Sequence, residues 1–371
     1  MFSLFPEVRR VIGTEYRVIL MVAVGLLLGE AGMRMIQDHL SIDVGHLRSF
    51  RSKSDELTSA AEHPQVLFLG NSMTRHGITP DIFEEEFAAC TGVHPATIKI
   101  NPDNTALADW FYAYRNYFYK LEHAPDVLVL GFEGGHLRDK PTLHPGRLAQ
   151  YYCQPDDWPE LCRYDLKTFE ERMSYLVCSV SAMCSNRDRL QRRVLDTLIP
   201  GYRDGSQQLN QRQTRLAEQK LPAPTYHRLQ EFLDMIHSQH VTLVLAAMPI
   251  ATPYELDPEL LQVIAQNRVQ LLDCRNLPGI VPEMFPDGVH MTADASLIYS
   301  RYLADQLSQE PIPRSYPPRV PSLSNQIQSR NKTLASRPES IHSASPEFRR
   351  AASRLSSIET RYAGQGHGNL P

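Results

Sequence analysis

Continuous apolar runs of strand length in the middle of the chain constrain its fold more than any other feature: Gln65-Val-Leu-Phe-Leu69, Asp126-Val-Leu-Val-Leu-Gly131, Val241–Ala247 and Val269–Asp273. A run that is apolar at nearly every position, rather than at alternate ones, suits a strand covered on both faces, as in parallel sheets flanked by helices. Thr97–Ile100 is a weaker candidate of the same kind. Between the runs the apolar residues recur at helical spacing. Asp81–Ala89 follows Pro80 at a first turn, Ala106–Leu121 is rich in aromatics, and Tyr226–His237 sets Leu229, Phe232, Leu233 and Ile236 on one face. Pro258–Gln266 and Thr292–Leu307 complete the series. Alternating strands and helices predict an α/β domain with a mainly parallel, doubly wound sheet over residues 64–310. The stretch from about 140 to 222 breaks the alternation with Pro, Cys, Trp and many charges, and reads as a mainly helical insertion.

The flanks differ sharply from this middle. Val18–Gly29 is an apolar run behind Arg9, Arg10 and Arg17, the charge layout of a signal anchor whose basic flank stays cytoplasmic. Residues 1–36 are therefore expected to be a cytoplasmic flank and membrane anchor, with a cleaved signal peptide and a buried core helix as the alternatives. Polar residues 37–63 read as a linker. From Pro311 to Pro371 the chain is rich in Ser, Pro, Arg and Asn and poor in large apolar residues, so a disordered basic tail is expected there. A net charge of −4 gives no support to nucleic-acid binding by the whole chain. Of six cysteines, Cys153, Cys162, Cys178 and Cys184 lie close in sequence without a C-x-x-C pair, which argues against a metal site. Outside the cytoplasm such a cluster suits disulfides, and buried free thiols are the alternative.

A serine nucleophile needs an exposed hydroxyl, a histidine base within reach, a group that orients the base, and donors for the developing oxyanion. Gly70-Asn71-Ser72-Met73 follows the first core strand directly, where reactive groups of open α/β sheets collect. Near the far end of the domain, Asp287-Gly288-Val289-His290 precedes the last helix, a spacing that lets Asp287 hold one ring nitrogen of His290. No phosphate-binding loop, dinucleotide fingerprint or zincin motif is present, and no cofactor is expected.

The strand followed by G-N-S and the D-x-x-H before the last helix resemble the first and last sequence blocks of the SGNH/GDSL hydrolases. The resemblance covers roughly residues 64–308. It implies a three-layer α/β/α sandwich, with Ser72 as nucleophile and Asp287 and His290 completing a triad. The family's second block carries a glycine and its third an asparagine, both oxyanion donors. Here the matching stretches are Asn101–Thr105 and Gly131–Gly135, and neither reproduces the pattern. Asn104 and the backbone N–H of Ser72 are the candidate donors, while Glu133 stands where an amide is expected. Asn71, Glu133, His136 and Arg138 are candidate pocket residues.

These features lead to an expectation of an extracytoplasmic, single-span esterase or O-acyltransferase. Its substrate is expected to be an acyl ester, acetyl above all, of cell-envelope polysaccharide or lipid, with a membrane acyl donor as a partner. The alternative from another class is a weakly active SGNH fold that binds glycan or scaffolds a membrane acylation complex, which the altered second and third blocks favour.

Overall fold

A computed structural model describes residues 6–40, 42–59, 63–142, 144–202, 205 and 224–309. The tail expected to be disordered lies outside the described residues. Five strands, β1 (Gln65–Leu69), β2 (Ala96–Ile100), β3 (Val127–Phe132), β4 (Thr242–Ala247) and β5 (Gln270–Asp273), form one parallel sheet in the order β2-β1-β3-β4-β5. The longer helices run, in chain order, α1 (Pro6–Leu40), α2 (Ile42–Arg48), α3 (Phe50–Ser59), α4 (Ser72–Gly77), α5 (Pro80–Thr91) and α6 (Leu107–Tyr114). They continue as α7 (Phe169–Val180), α8 (Ala182–Leu198), α9 (His227–Ser238), α10 (Pro258–Gln266) and α11 (Ala293–Gln309).

The strands are apolar throughout because both faces of the sheet are covered. Val66 and Phe68 of β1, with Val127 and Val129 of β3 and Val244 of β4, pack under α5 and α11 through Phe83, Phe87, Tyr299 and Leu303. The alternate residues Leu67, Leu69, Leu128, Leu130 and Leu245 face α6, α9 and α10 through Trp110, Leu229, Phe232 and Leu260. The fold is a three-layer α/β/α sandwich. Because β1 lies between β2 and β3, the chain leaves β1 toward one side of the sheet and returns on the other. A crevice opens at the carboxyl ends of β1 and β3, the place where ligands collect in such sheets. The aromatic stretch after Ala106 is core: Trp110, Tyr112, Tyr114 and Phe118 are buried, and α6 ends in a turn of π-helix at Arg115–Tyr119.

Residues 37–63, read from the sequence as a linker, are structured where described. α2 and α3 bury Val44, Leu47, Phe50 and Leu57 in the same cluster as α6. Among the described residues of that stretch only four side chains are large, apolar and buried, too few to stand out against the charges between them. Within α1, Glu15–Leu40 is long and apolar enough to cross a membrane, and Ile19, Leu20, Met21, Leu26, Leu27 and Leu28 are exposed. Its far end is joined to the domain. Glu30 accepts hydrogen bonds from the N–H groups of Ala182 (2.7 Å) and Met183 (3.1 Å) and from the Ser181 hydroxyl (2.9 Å), while Arg34 donates to the Val180 carbonyl at 2.9 Å. The described part of the insertion is helical, with short turns between Pro145 and Asp165 leading into α7 and α8. A buried ion pair ties it to the sandwich: Arg228 of α9 reaches Asp165 at 2.9 Å, and the Tyr112 hydroxyl and Thr142 N–H donate to the same carboxylate, each at 2.9 Å.

Candidate active site

Ser72 is the first residue of α4, immediately beyond the end of β1. Asn71 caps that helix, its side-chain oxygen accepting from the Met73 N–H at 2.9 Å and its amide donating to the Thr105 carbonyl at 3.3 Å. The helix approaches the sheet very closely. A Cβ on Gly70 would stand 2.0 Å from Thr74 Oγ1, and one on Gly131 would stand 2.3 Å from the same atom. Two glycines at neighbouring strand ends thus let Thr74 sink between them, which presents Ser72 at the crevice. Trp110 fixes the turn from beneath, its indole N–H donating to the Gly70 carbonyl and to Thr105 Oγ1, both at 3.0 Å.

His290 arrives from the other end of the chain. Asp287-Gly288-Val289-His290 forms a turn in which Gly288 has φ +85°, a left-handed backbone that glycine adopts without strain. Asp287 Oδ1 accepts from the N–H groups of Val289 (3.0 Å) and His290 (2.8 Å), so the carboxylate is held by its own turn. Its other oxygen lies 2.5 Å from His290 Nδ1, and His290 Nε2 lies 2.8 Å from Ser72 Oγ. Burial pushes the Asp287 carboxyl up, but hydrogen bonds from the His290 ring and from the backbone of His290 and Val289 prevail and hold it at about 2. The helix behind this turn is clamped to the nucleophile's side. Thr79, between α4 and α5, meets α11 through Ser296 Oγ (2.7 Å) and Ser300 Oγ (2.8 Å).

The cleft around Ser72 measures about 600 Å³ and is lined by Asn71, Asn104, Glu133 and His136 besides the three residues just described. Asn104 has φ +51°, so it occupies the glycine-like left-handed region, and its side-chain amide is turned to His144 Nε2 at 3.0 Å. His136 Nδ1 accepts from the Glu133 N–H at 3.1 Å, and burial, with Lys140 nearby, lowers the imidazole to about 4. The ring is therefore neutral near pH 7 with its proton on Nε2, which lies 3.8 Å from the Glu133 carboxylate. Arg138 does not line the cleft. It pairs with Asp257 at 3.6 Å beside the start of α10.

The sequence reading missed His76, whose ring lies 5.0 Å from that of His290, and Arg75, which pairs with Asp103 at 2.5 Å across the cleft. Both follow Ser72 within one turn of α4, so a helix begun at Ser72 would have exposed them. All six cysteines are free thiols. Among the described residues no group of His, Cys, Asp and Glu is arranged to hold a metal ion.

No family model matches the chain, and no curated protein matches it. Among solved structures, the chain is similar to a lipase/acylhydrolase from Enterococcus faecalis, at 13% identity and TM-score 0.35, covering 66% of this chain and 95% of that one. It is also similar to the acetylxylan esterase Axe2 from Geobacillus stearothermophilus, at 10% identity and TM-score 0.33, covering 69% and 95%. A third similar structure is TesA, at 11% identity and TM-score 0.31, covering 66% and 99%. Likenesses this distant assign neither an activity nor a substrate.

Proposed function

We propose that this chain is a serine ester hydrolase or O-acyltransferase of the SGNH/GDSL type, with Ser72 as nucleophile, His290 as general base and then acid, and Asp287 as its orienting partner. The supporting observation is the unbroken relay from Asp287 Oδ2 through both nitrogens of His290 to Ser72 Oγ, built from residues 218 positions apart. As His290 takes the hydroxyl proton, Ser72 Oγ adds to the ester carbonyl. The tetrahedral intermediate collapses, and the leaving alcohol departs with that proton. Water or a sugar hydroxyl then attacks the acyl-enzyme, His290 again receiving the proton and returning it to Ser72. Water gives hydrolysis and a sugar hydroxyl gives transfer. The proposed oxyanion donors are the backbone N–H groups of Ser72 and Asn104, the left-handed Asn104 standing in for the family's glycine, with the Nε2–H of His136 beside them.

The proposed setting is a membrane, with α1 as the anchor and the α/β domain outside the cytoplasm, acting on acyl esters, acetyl above all, of cell-envelope polysaccharide or lipid. The apolar Glu15–Leu40 segment and its basic flank support that reading. The Glu133 carboxylate at the cleft favours the alternative, a weakly active fold that binds glycan within an acylation complex. The test is labelling of the full chain in detergent with an active-site fluorophosphonate, beside Ser72→Ala and His290→Ala and a p-nitrophenyl acetate assay. Labelling and turnover lost in both variants are expected. A folded wild-type chain that neither labels nor turns over ester would overturn the hydrolase reading.

A further inference from the structure

Beside the cleft lies a second pocket of about 270 Å³, and the two share a wall made of Asp103 and Asn104. Its other sides come from the insertion: the turn at His144–Arg147, Ser174 and Cys178 of α7, and the first half of α8. Four arginines line it, Arg147, Arg187, Arg189 and Arg192, against the two acids Asp103 and Asp188, and Arg189 also donates to Asn186 Oδ1 at 2.9 Å. Both carboxylates are engaged with cations, Asp103 with Arg75 at 2.5 Å on the cleft side and Asp188 with Arg187 at 3.4 Å. Among the described residues no carboxylate pairs with Arg192. The charge imbalance also registers on His144 in the wall, where burial first, then Arg147, Arg192 and Arg189, lower the imidazole to about 4.

The pocket is coupled to the cleft through backbone. Arg147 donates to the carbonyls of Asp103 (2.6 Å) and Asn104 (3.4 Å), and the Asn104 amide meets His144 at 3.0 Å. The loop that carries a proposed oxyanion donor is thus the same loop that floors the basic pocket. A group seated among the arginines would lie across the Asp103–Asn104 wall from an ester held at Ser72.

Resting on the hydrolase reading, we infer that this pocket binds an oxyanion group of the substrate, a carboxylate or a phosphate, so that the preferred substrates are acyl esters of an anionic polymer rather than a neutral one. Guanidinium groups suit both anions through paired N–H donors. The insertion then acts as the specificity element and the sandwich supplies the chemistry.

The test uses the full chain in detergent with three acetylated polymers: xylan as the neutral one, polygalacturonate as the carboxylate and poly(glycerol phosphate) as the phosphate. At low salt kcat/KM for at least one anionic polymer is expected to exceed that for xylan by about tenfold, the factor supplied by one charge-assisted hydrogen bond. The arm that responds identifies the anion. The double variant Arg189→Ala, Arg192→Ala should bring the ratio near one, and Arg192→Lys should keep part of it. Equilibrium binding of deacetylated polygalacturonate and of inorganic phosphate by wild type and double variant reads the pocket without turnover. Binding that weakens in the variant supports the inference even if no ester is hydrolysed, an outcome that would sink the hydrolase reading alone. An active wild type that uses all three polymers equally, or a ratio and binding unchanged in a folded double variant, would overturn the inference.

Discussion

Replacing Asp287 by Asn should harm catalysis more than replacing it by Ala, although Asn is the closer isostere. Asp287 Oδ1 is held by two backbone N–H groups, so an Asn side chain must keep its oxygen there and turn its NH2 toward His290 Nδ1. That nitrogen would then have to accept, placing the ring proton on Nε2, where it cannot receive the proton of Ser72. Ala imposes no tautomer and loses only the carboxylate's support of the imidazolium. For charges about 4 Å apart that support lies between about 1 kcal/mol in water and about 4 kcal/mol near a protein surface, or roughly five- to a thousandfold in rate. Because the Asp287 side chain is 55% exposed, the lower half of that range applies. The forced tautomer adds to it, and a loss in kcat of about 10³–10⁴ is expected for Asp287→Asn. Steady-state hydrolysis of p-nitrophenyl acetate by the two variants, with fluorophosphonate labelling rates beside it, measures the difference. An Asn variant as active as the Ala variant would refute the assignment of the carboxylate's two oxygens.

Other expectations follow from the scaffold. Arg228→Met leaves Asp165 charged and buried without its cation and should destabilise the fold by about 3–5 kcal/mol in denaturant unfolding; an unchanged midpoint would show that the pair is not formed. His136 and His144 titrate at about 4 in the fold, below the usual histidine value near 6.5. The unfolded chain therefore binds more protons across that window, and stability should fall as pH drops from about 6.5 to about 4. Thermal unfolding should show that slope, and His144→Gln should flatten it. Gly70→Ala would drive Cβ into Thr74 and displace the start of α4. Fluorophosphonate labelling should drop at least about tenfold while far-ultraviolet circular dichroism stays native; normal labelling would show that the close approach is unnecessary.

The sheet was legible because a strand covered on both faces leaves no polar alternation to blur it, and β1 and β3 read as unbroken apolar runs. G-N-S and D-x-x-H were legible for a different reason: each sits against a recognisable element whose end fixes where its side chains go. What escaped depends on tertiary packing. α4 has too few residues to show a period, so His76 and Arg75 went unnoticed beside Ser72. The Arg228–Asp165 pair looks in sequence like two ordinary surface charges on separate helices. Arg147 and Arg192 are distant in the chain, and only the fold of the insertion brings them to one pocket next to Asn104.

The junction at Glu30 bears on how the proposed enzyme would move. At 1.5 Å per residue the 35-residue helix α1 is about 52 Å long, against a hydrocarbon layer of about 30 Å. Helix therefore remains to enter the domain, where Glu30 and Arg34 grip the start of α8 and the end of α7. A flexible stalk would let the catalytic cleft sweep a hemisphere. With this splint, a membrane-seated α1 reduces the motion to lateral drift and tilt. The cleft would then patrol a thin layer at one altitude above the lipid, and a polymer substrate beyond that layer would have to be carried to it.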